Sequence, residues 1–245
     1  MTDHIVKAFD QELARLKTMI AQMGGLAEEQ LGRAIDALSR RNIELADSVI
    51  AQDHKIDDLE LALEEQATHV IAKRQPMALD LRQIMVAIRI ASDLERIGDL
   101  AKNIAKRTHA VPVVIAPRAM KGVTRMGTLA LEQLKNVLDA YAVLDDEKAL
   151  EVWRSDEEID AIYNSVFREL LTYMMEDPRM IGMSTHLMFA AKNIERIGDH
   201  CTNIAENIYY MVHGRPLAEE RPKGDRTSTT PVDFRPGGDS STGSP

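Results

Sequence analysis

Glu95-Arg96-Ile97-Gly98-Asp99, followed by Asn103-Ile104-Ala105, returns 100 residues later as Glu195-Arg196-Ile197-Gly198-Asp199 and Asn203-Ile204-Ala205. An earlier block repeats as well. Met23 to Asp57 aligns without gaps on Met126 to Asp160 at an offset of 103, with 15 of 35 positions identical. The identities include Met23/Met126, Gly24/Gly127, Leu31/Leu134, Asp36/Asp139, Asp53/Asp156, Ile56/Ile159 and Asp57/Asp160. Two blocks in the same order, twice over, mark two copies of one unit.

Residues 4–109 contain no proline except Pro76, and the next prolines are Pro112, Pro117 and Pro178. Between them apolar residues recur every three or four positions, the period of a helix buried on one side. The pattern predicts six helices near 4–40, 43–75, 78–109, 119–143, 146–177 and 180–213. The second would be about 50 Å long at 1.5 Å per residue. Pro76 and Pro178 mark tight turns, since proline disfavours helix at and before its own position. The expected fold is all-α: two tandem, sequence-related three-helix bundles with a disordered C-terminal tail. The first repeat spans 1–110, a linker 111–118, the second repeat 119–215 and the tail 216–245. That tail is rich in Pro, Gly, Ser and Thr.

Bulk properties narrow the function. Aromatics are only 4% of the chain, so Leu, Ile, Ala and Met must fill the core. The net charge of -9 argues against a general nucleic-acid binder, which needs a basic surface. A single cysteine, Cys201, allows no intrachain disulfide. No secretory signal core and no membrane-length apolar run is visible, so a membrane would be met only through partners.

The acids carry the chemistry. On the helix of the first motif, Ile90, Leu94, Ile97, Ala101 and Ile104 form one apolar stripe. Glu95 and Asp99 lie roughly 140–180° from its centre, with Asn103 extending their line. On the preceding helix Asp53 and Asp57 stand at i, i+4, continued by Glu60 and Glu64. Like charges at that spacing weaken a helix.

Folding the hairpin about Pro76 puts Asp57 and Glu95 at one height and Asp53 and Asp99 at another. About Asp177-Pro178 the second copy matches Asp160 with Glu195 and Asp156 with Asp199. Carboxylates gathered so closely need a cation, and hard oxygen-preferring metals suit them: Mg, Mn, Fe or Ca, with Zn also admissible. Asn103 and Asn203 could add amide oxygens. His54, His186 and His200 read as structural. Arg96 and Arg196 compete with a metal as neutralisers. Gly98 and Gly198 sit inside helices at a cost of about 1 kcal/mol each, which close approach of a neighbouring helix would explain. No Glu-x-x-His signature, phosphate-cradling loop or activated nucleophile is present, so nothing supports catalysis.

The two Glu-Arg-Ile-Gly-Asp motifs with their Asn-Ile-Ala sequels, the Asp53/Asp57 and Asp156/Asp160 pairs, and the phrase Ala21-Gln22-Met23-Gly24-Gly25 together resemble the PhoU family over about residues 4–213. The resemblance implies a cytoplasmic, non-enzymatic negative regulator of phosphate uptake and of the phosphate-starvation response. It implies a link between the phosphate ABC transporter, through its ATPase subunit PstB, and the sensor histidine kinase PhoR. It also implies a homodimer with metal on Asp53, Asp57, Glu95, Asp99, Asp156, Asp160, Glu195 and Asp199. Two rival readings stand beside it: a helical adaptor whose acidic face binds a basic protein without metal, and a carboxylate-bridged metalloenzyme.

Overall fold

The computed structural model describes residues 2–111 and 117–219. The expectations for the middle of the linker and for residues 220–245 of the tail fall outside these. Among the described residues there are helices and turns and no strand. Helix α1 runs Thr2–Arg40, α2 Ile43–Gln52, α3 His54–Arg74, α4 Ala78–Arg107, α5 Pro117–Val143, α6 Asp146–Glu176 and α7 Ile181–His213. Helices α2 and α3 meet at Asp53, whose φ of -55° and ψ of -42° are helical. They form one rod with a single irregular step, so the architecture is six rods in two groups of three, as the repeat predicts.

The turns repeat as closely as the sequence does. Arg41 and Leu144 both take positive φ, 53° and 60°. The next residues, Asn42 and Asp145, cap α2 and α6 by accepting hydrogen bonds from the Leu45 and Lys148 amides at 3.0 and 2.9 Å. These caps satisfy helix N–H groups that would otherwise have no partner. The hairpin turns differ. Gln75 ends α3 in the left-handed region at φ 49°. Asp177 instead starts a short 3₁₀ turn, Pro178–Met180, by accepting from the Arg179 amide. Pro117 opens α5, where its missing N–H costs nothing. The helix therefore starts two residues ahead of the expected 119.

The buried stripes of the two copies correspond position for position. Leu16, Ile20, Met23, Ala27, Leu31, Ala34 and Leu38 on α1 correspond at an offset of 103 to Ala119, Val123, Met126, Ala130, Leu134, Val137 and Tyr141 on α5, and all are buried. Ile84, Ala87, Ile90, Leu94, Ile97, Ala101 and Ile104 on α4 correspond at an offset of 100 to Ser184, Leu187, Ala190, Ile194, Ile197, Cys201 and Ile204 on α7, again all buried. The core is continuous through both copies. Helices α1 and α5 pack against each other, as do α4 and α7, while α2–α3 and α6 flank this centre. On the α4–α7 seam Arg89 meets Asn207 and Arg107 meets His186, so the two helices are antiparallel. Leu217, just past α7, is half-buried against the core.

Glycine decides the α1–α5 seam. A Cβ on Gly24 would stand 2.8 Å from Leu138 Cδ1. A Cβ on Gly127, its repeat mate, would stand 2.8 Å from Ile35 Cγ1 and 3.1 Å from Cγ2. Ile35 and Leu138 are themselves repeat mates, so each copy inserts one aliphatic side chain over the other's glycine. Gly127→Ala should therefore cost about 1–2 kcal/mol despite alanine's better helix propensity. Ile35→Val, which removes the terminal methyl, should recover part of that loss in the double variant. Urea unfolding of the four proteins measures it. A Gly127→Ala variant more stable than wild type would contradict this packing.

Candidate functional site: two acidic clusters across the hairpins

The α3–α4 hairpin brings the first four predicted acids together. Asp53 is buried, 5% exposed, at the step between α2 and α3. Its Oδ1 accepts from Gln30 Nε2 of α1 at 3.0 Å, and its Oδ2 accepts from Lys102 Nζ of α4. The same ammonium donates to Asp99 Oδ1 at 2.6 Å. Lys102 thus ties Asp53 to Asp99, the pair placed at one height by the sequence.

Asp57 and Glu95 occupy the next level and feel the same charges. Burial, and then the Asp53 charge, raises the Asp57 carboxyl above its ordinary range, with Lys102 opposing. Burial raises the Glu95 carboxyl to about 7, helped by Asp99, Glu60 and Asp57 and opposed by Arg96. Glu60 is raised too, first by burial and then by Glu64. A carboxyl that titrates near neutrality sits where a positive charge would be accepted.

Lys102 is the residue that sequence reasoning missed. No basic residue lies in the acidic column of the α2–α3 rod, and Arg96 stood as the competing neutraliser. In the structure Arg96 is 59% exposed and only skirts Glu95 and Asp99, at 3.4 and 3.7 Å. Lys102 was findable: it follows Asp99 by three residues and so lies on the same helix face.

The second cluster is deeper. Asp156, Asp160 and Glu195 are 2%, 3% and 5% exposed. Asp156 Oδ1 lies 2.8 Å from where a Cβ on Gly198 would stand. Its counterpart Asp53 Oδ1 lies 3.8 Å from the same point on Gly98. Gly198 therefore admits Asp156, whereas Gly98 is crowded by Ile56 Cδ1 at 2.9 Å, so each glycine shows the close approach of a neighbouring helix that its position predicted. Lys192 Nζ contacts Glu195 Oε1 at 2.8 Å and lies 5.1 Å from the centre of the Tyr163 ring. At the position matching Lys102 stands Thr202, fully buried, its hydroxyl donating to the Asp199 carbonyl at 2.7 Å.

One glutamine attends each cluster. Gln30 and Gln133 are repeat mates, 6% and 5% exposed. Their Oε1 atoms lie 3.2 and 3.3 Å from the Cβ positions of Gly98 and Gly198, beside the aspartates. Both oxygens are buried with no hydrogen-bond partner. An orphaned buried acceptor costs about 1–3 kcal/mol. The amide groups differ: Gln30 donates to Asp53, whereas Gln133 donates to Ser155 Oγ at 3.1 Å.

Other expected contributors are engaged elsewhere. His200 Nδ1 and Asn203 Nδ2 contact Asp93 Oδ1 at 2.9 and 3.3 Å, joining α7 to α4. His54 Nδ1 is 2.9 Å from the Ala51 carbonyl, and His186 lies beside Arg107. Among the described residues no three His, Cys, Asp or Glu side chains already stand as a metal cage. The donor chemistry nevertheless fits a hard cation: carboxylates plus an orphaned amide oxygen in each copy.

A sequence description of the PhoU domain matches residues 20–108 and again 123–208, which are the two repeats. The chain belongs to the PhoU family. It is 57% identical over 227 residues to the phosphate-specific transport system accessory protein PhoU homolog of Rhizobium meliloti (strain 1021), covering 92% of this chain and 96% of that protein. It is 38% identical to phosphate-specific transport system accessory protein PhoU of Escherichia coli (strain K12), covering 88% and 89%. The crystal structure of PhoU from Pseudomonas aeruginosa superposes with a TM-score of 0.80 at 37% identity, over 84% of this chain and all of that one. The phosphate transport system regulatory protein PhoU from Streptococcus pneumoniae gives 0.80 at 29% identity, over 86% and all. The paired PhoU domains account for the six-rod architecture. No described helix is long and apolar enough to cross a membrane.

Proposed function

We propose that this PhoU-family chain is a cytoplasmic, non-enzymatic negative regulator of phosphate uptake and of the phosphate-starvation response. In this reading it acts as a homodimer that links the ATPase subunit PstB of the phosphate transporter to the sensor kinase PhoR. The support is kinship along nearly the whole chain to accessory proteins of phosphate-specific transport. Its acidic clusters hold a metal ion, and the observation that carries this is the pair of buried, orphaned Gln30 and Gln133 oxygens, one beside the glycine of each cluster. Such an ion would supply the positive charge that lets the two rods of a hairpin keep their acids together.

Two measurements test the two halves of this reading. Deleting the gene should switch on a phosphate-starvation reporter in phosphate-rich medium, and re-expression should silence it. Elemental analysis should find metal in the wild-type protein and a loss in Glu95→Gln/Asp99→Asn combined with Glu195→Gln/Asp199→Asn. Equal content in both proteins would remove metal from the reading. It would favour an acidic face for a basic protein partner, for which Lys102 between Asp53 and Asp99 is an internal precedent.

A further inference from the structure

We infer that the groove between the N-terminal half of α5 and the C-terminal half of α6 is a docking site for an amphipathic helix of another protein, one whose apolar stripe is flanked by Asp and Glu. Such docking involves neither the acidic clusters nor a metal. Charge is unevenly spread along the chain. Residues 100–131 hold six Lys or Arg and no Asp or Glu, in a protein of net charge -9. Three of the six, Arg118, Lys121 and Arg125, recur at helical spacing on one side of α5, and all are exposed.

They edge a groove of about 750 Å³ whose opposite edge carries Glu158 and Glu169 of α6. Between the edges lie Gly122, Ala161, Ile162, Ser165 and Val166. From Arg118 to Arg125 the groove is about 10 Å long, two turns of a helix. Arg125 reaches across to Glu158 at 2.9 Å and closes one end. Glu169 instead accepts from the Tyr173 hydroxyl at 2.6 Å. Among the described residues Arg118 and Lys121 have no carboxylate partner. A carboxylate brought in from outside would meet both.

The first copy shows that the fold does not require this edge. At an offset of 103, Lys121, Gly122, Arg125 and Glu158 correspond to Thr18, Met19, Gln22 and Lys55. Met19 is buried and fills its own seam. In the second copy a Cβ on residue 122 would overlap Val166 Cγ2. Val166 therefore fills the seam from the other rod, and the surface above it is left hollow. Shape and charge then select the occupant. Ala161 and Ser165 are small and exposed, so the hollow is open along its length and accepts one face of a helix rather than enclosing a small molecule. A flat anionic lipid surface would not enter it and would be repelled by Glu158 and Glu169.

Photocrosslinking tests the assignment. The full chain carries p-benzoylphenylalanine at Ser165 or, for comparison, at Ala62, its exposed mate in the first copy. Irradiation in the native cells, in phosphate-rich and in phosphate-poor medium, should link the Ser165 probe to another protein, and the Ala62 probe should not make that link. Mass spectrometry should place the link in a segment with apolar residues every three or four positions and Asp or Glu beside them. Arg118→Glu/Lys121→Glu should cut the yield at least about tenfold, and changing the partner's acids to lysine should restore it. Both reversed side chains are exposed, and circular dichroism verifies that the variant folds. A link to lipid, to a second copy of this chain or to a segment without acids would overturn the assignment. So would equal yield from Ala62, a yield that ignores the charge reversal, or no link from Ser165 in either medium. None of these results bears on the phosphate-starvation reporter or on metal content.

Discussion

Replacing Lys102 by methionine is expected to lower the stability of the metal-free protein by about 2–3 kcal/mol at pH 7–8. Asp53 is nearly inaccessible, and the ammonium is one of its two partners. Removing one member of a buried ion pair strands the other, which commonly costs about 3–5 kcal/mol. The expectation is set lower because the Lys102 and Asp99 side chains keep 21% and 32% of their exposure.

Burial alone would lower the Lys102 pKa, but the hydrogen bonds it donates to Asp53 and Asp99, and their charges, prevail and raise it. A raised lysine contributes its full stabilisation below the ordinary lysine pKa and loses it only as pH climbs through the folded value. The loss in Lys102→Met should accordingly be constant between pH 7 and 9. Urea titration across that range measures it. A difference under about 0.5 kcal/mol, typical of an exposed pair, would show that the bridge contributes nothing.

Glu95→Gln should act in the opposite direction. The Glu95 carboxyl titrates near 7 in the folded protein against 4.5 for an ordinary glutamate, because burial and the Asp99, Glu60 and Asp57 charges disfavour its ionised form. Between those values the folded state holds a proton that the unfolded chain has released, so stability falls as pH rises through this window. Below about 4.5 both states are protonated and there is no penalty; above about 7 the penalty is complete.

The full gap corresponds to about 3 kcal/mol. With the side chain 16% exposed, about 2 kcal/mol is expected. Metal-free Glu95→Gln should therefore match wild type at pH 4.5 and exceed it by about 2 kcal/mol at pH 8. Thermal unfolding at the two pH values reads this directly. Equal melting temperatures at pH 8 would mean that Glu95 is not destabilised by its neighbours. A carboxylate kept at such a cost is reasonable in a group whose charge is wanted by a cation.

Much of the architecture was legible because it depends on local rules. The two offsets, 103 and 100, identified a duplication, and the 3.6-residue period located the rods to within a few residues. The matched heights of Asp53 with Asp99 hold because two antiparallel helices rise equally from a shared turn. The step at Asp53 was not legible, since nothing in Gln52-Asp53-His54 breaks a helix. Nor was the depth of Asp156, Asp160 and Glu195. Angular position on one helix fixes which way a carboxylate leaves the axis, not whether the neighbouring rod covers it.

The chain by itself determined that there are two copies of a three-helix unit, which residues form each apolar stripe, and which acids share a level of the hairpin. Each follows from spacing along one chain and needs no partner surface. Only the tertiary structure decided how the copies lock, with Ile35 over Gly127 and Leu138 over Gly24. It alone decided that Lys102, rather than Arg96, neutralises the first cluster. Those outcomes depend on rotation about helix axes and on which rotamer reaches across a gap of a few ångströms. Packing sets both, and linear spacing sets neither.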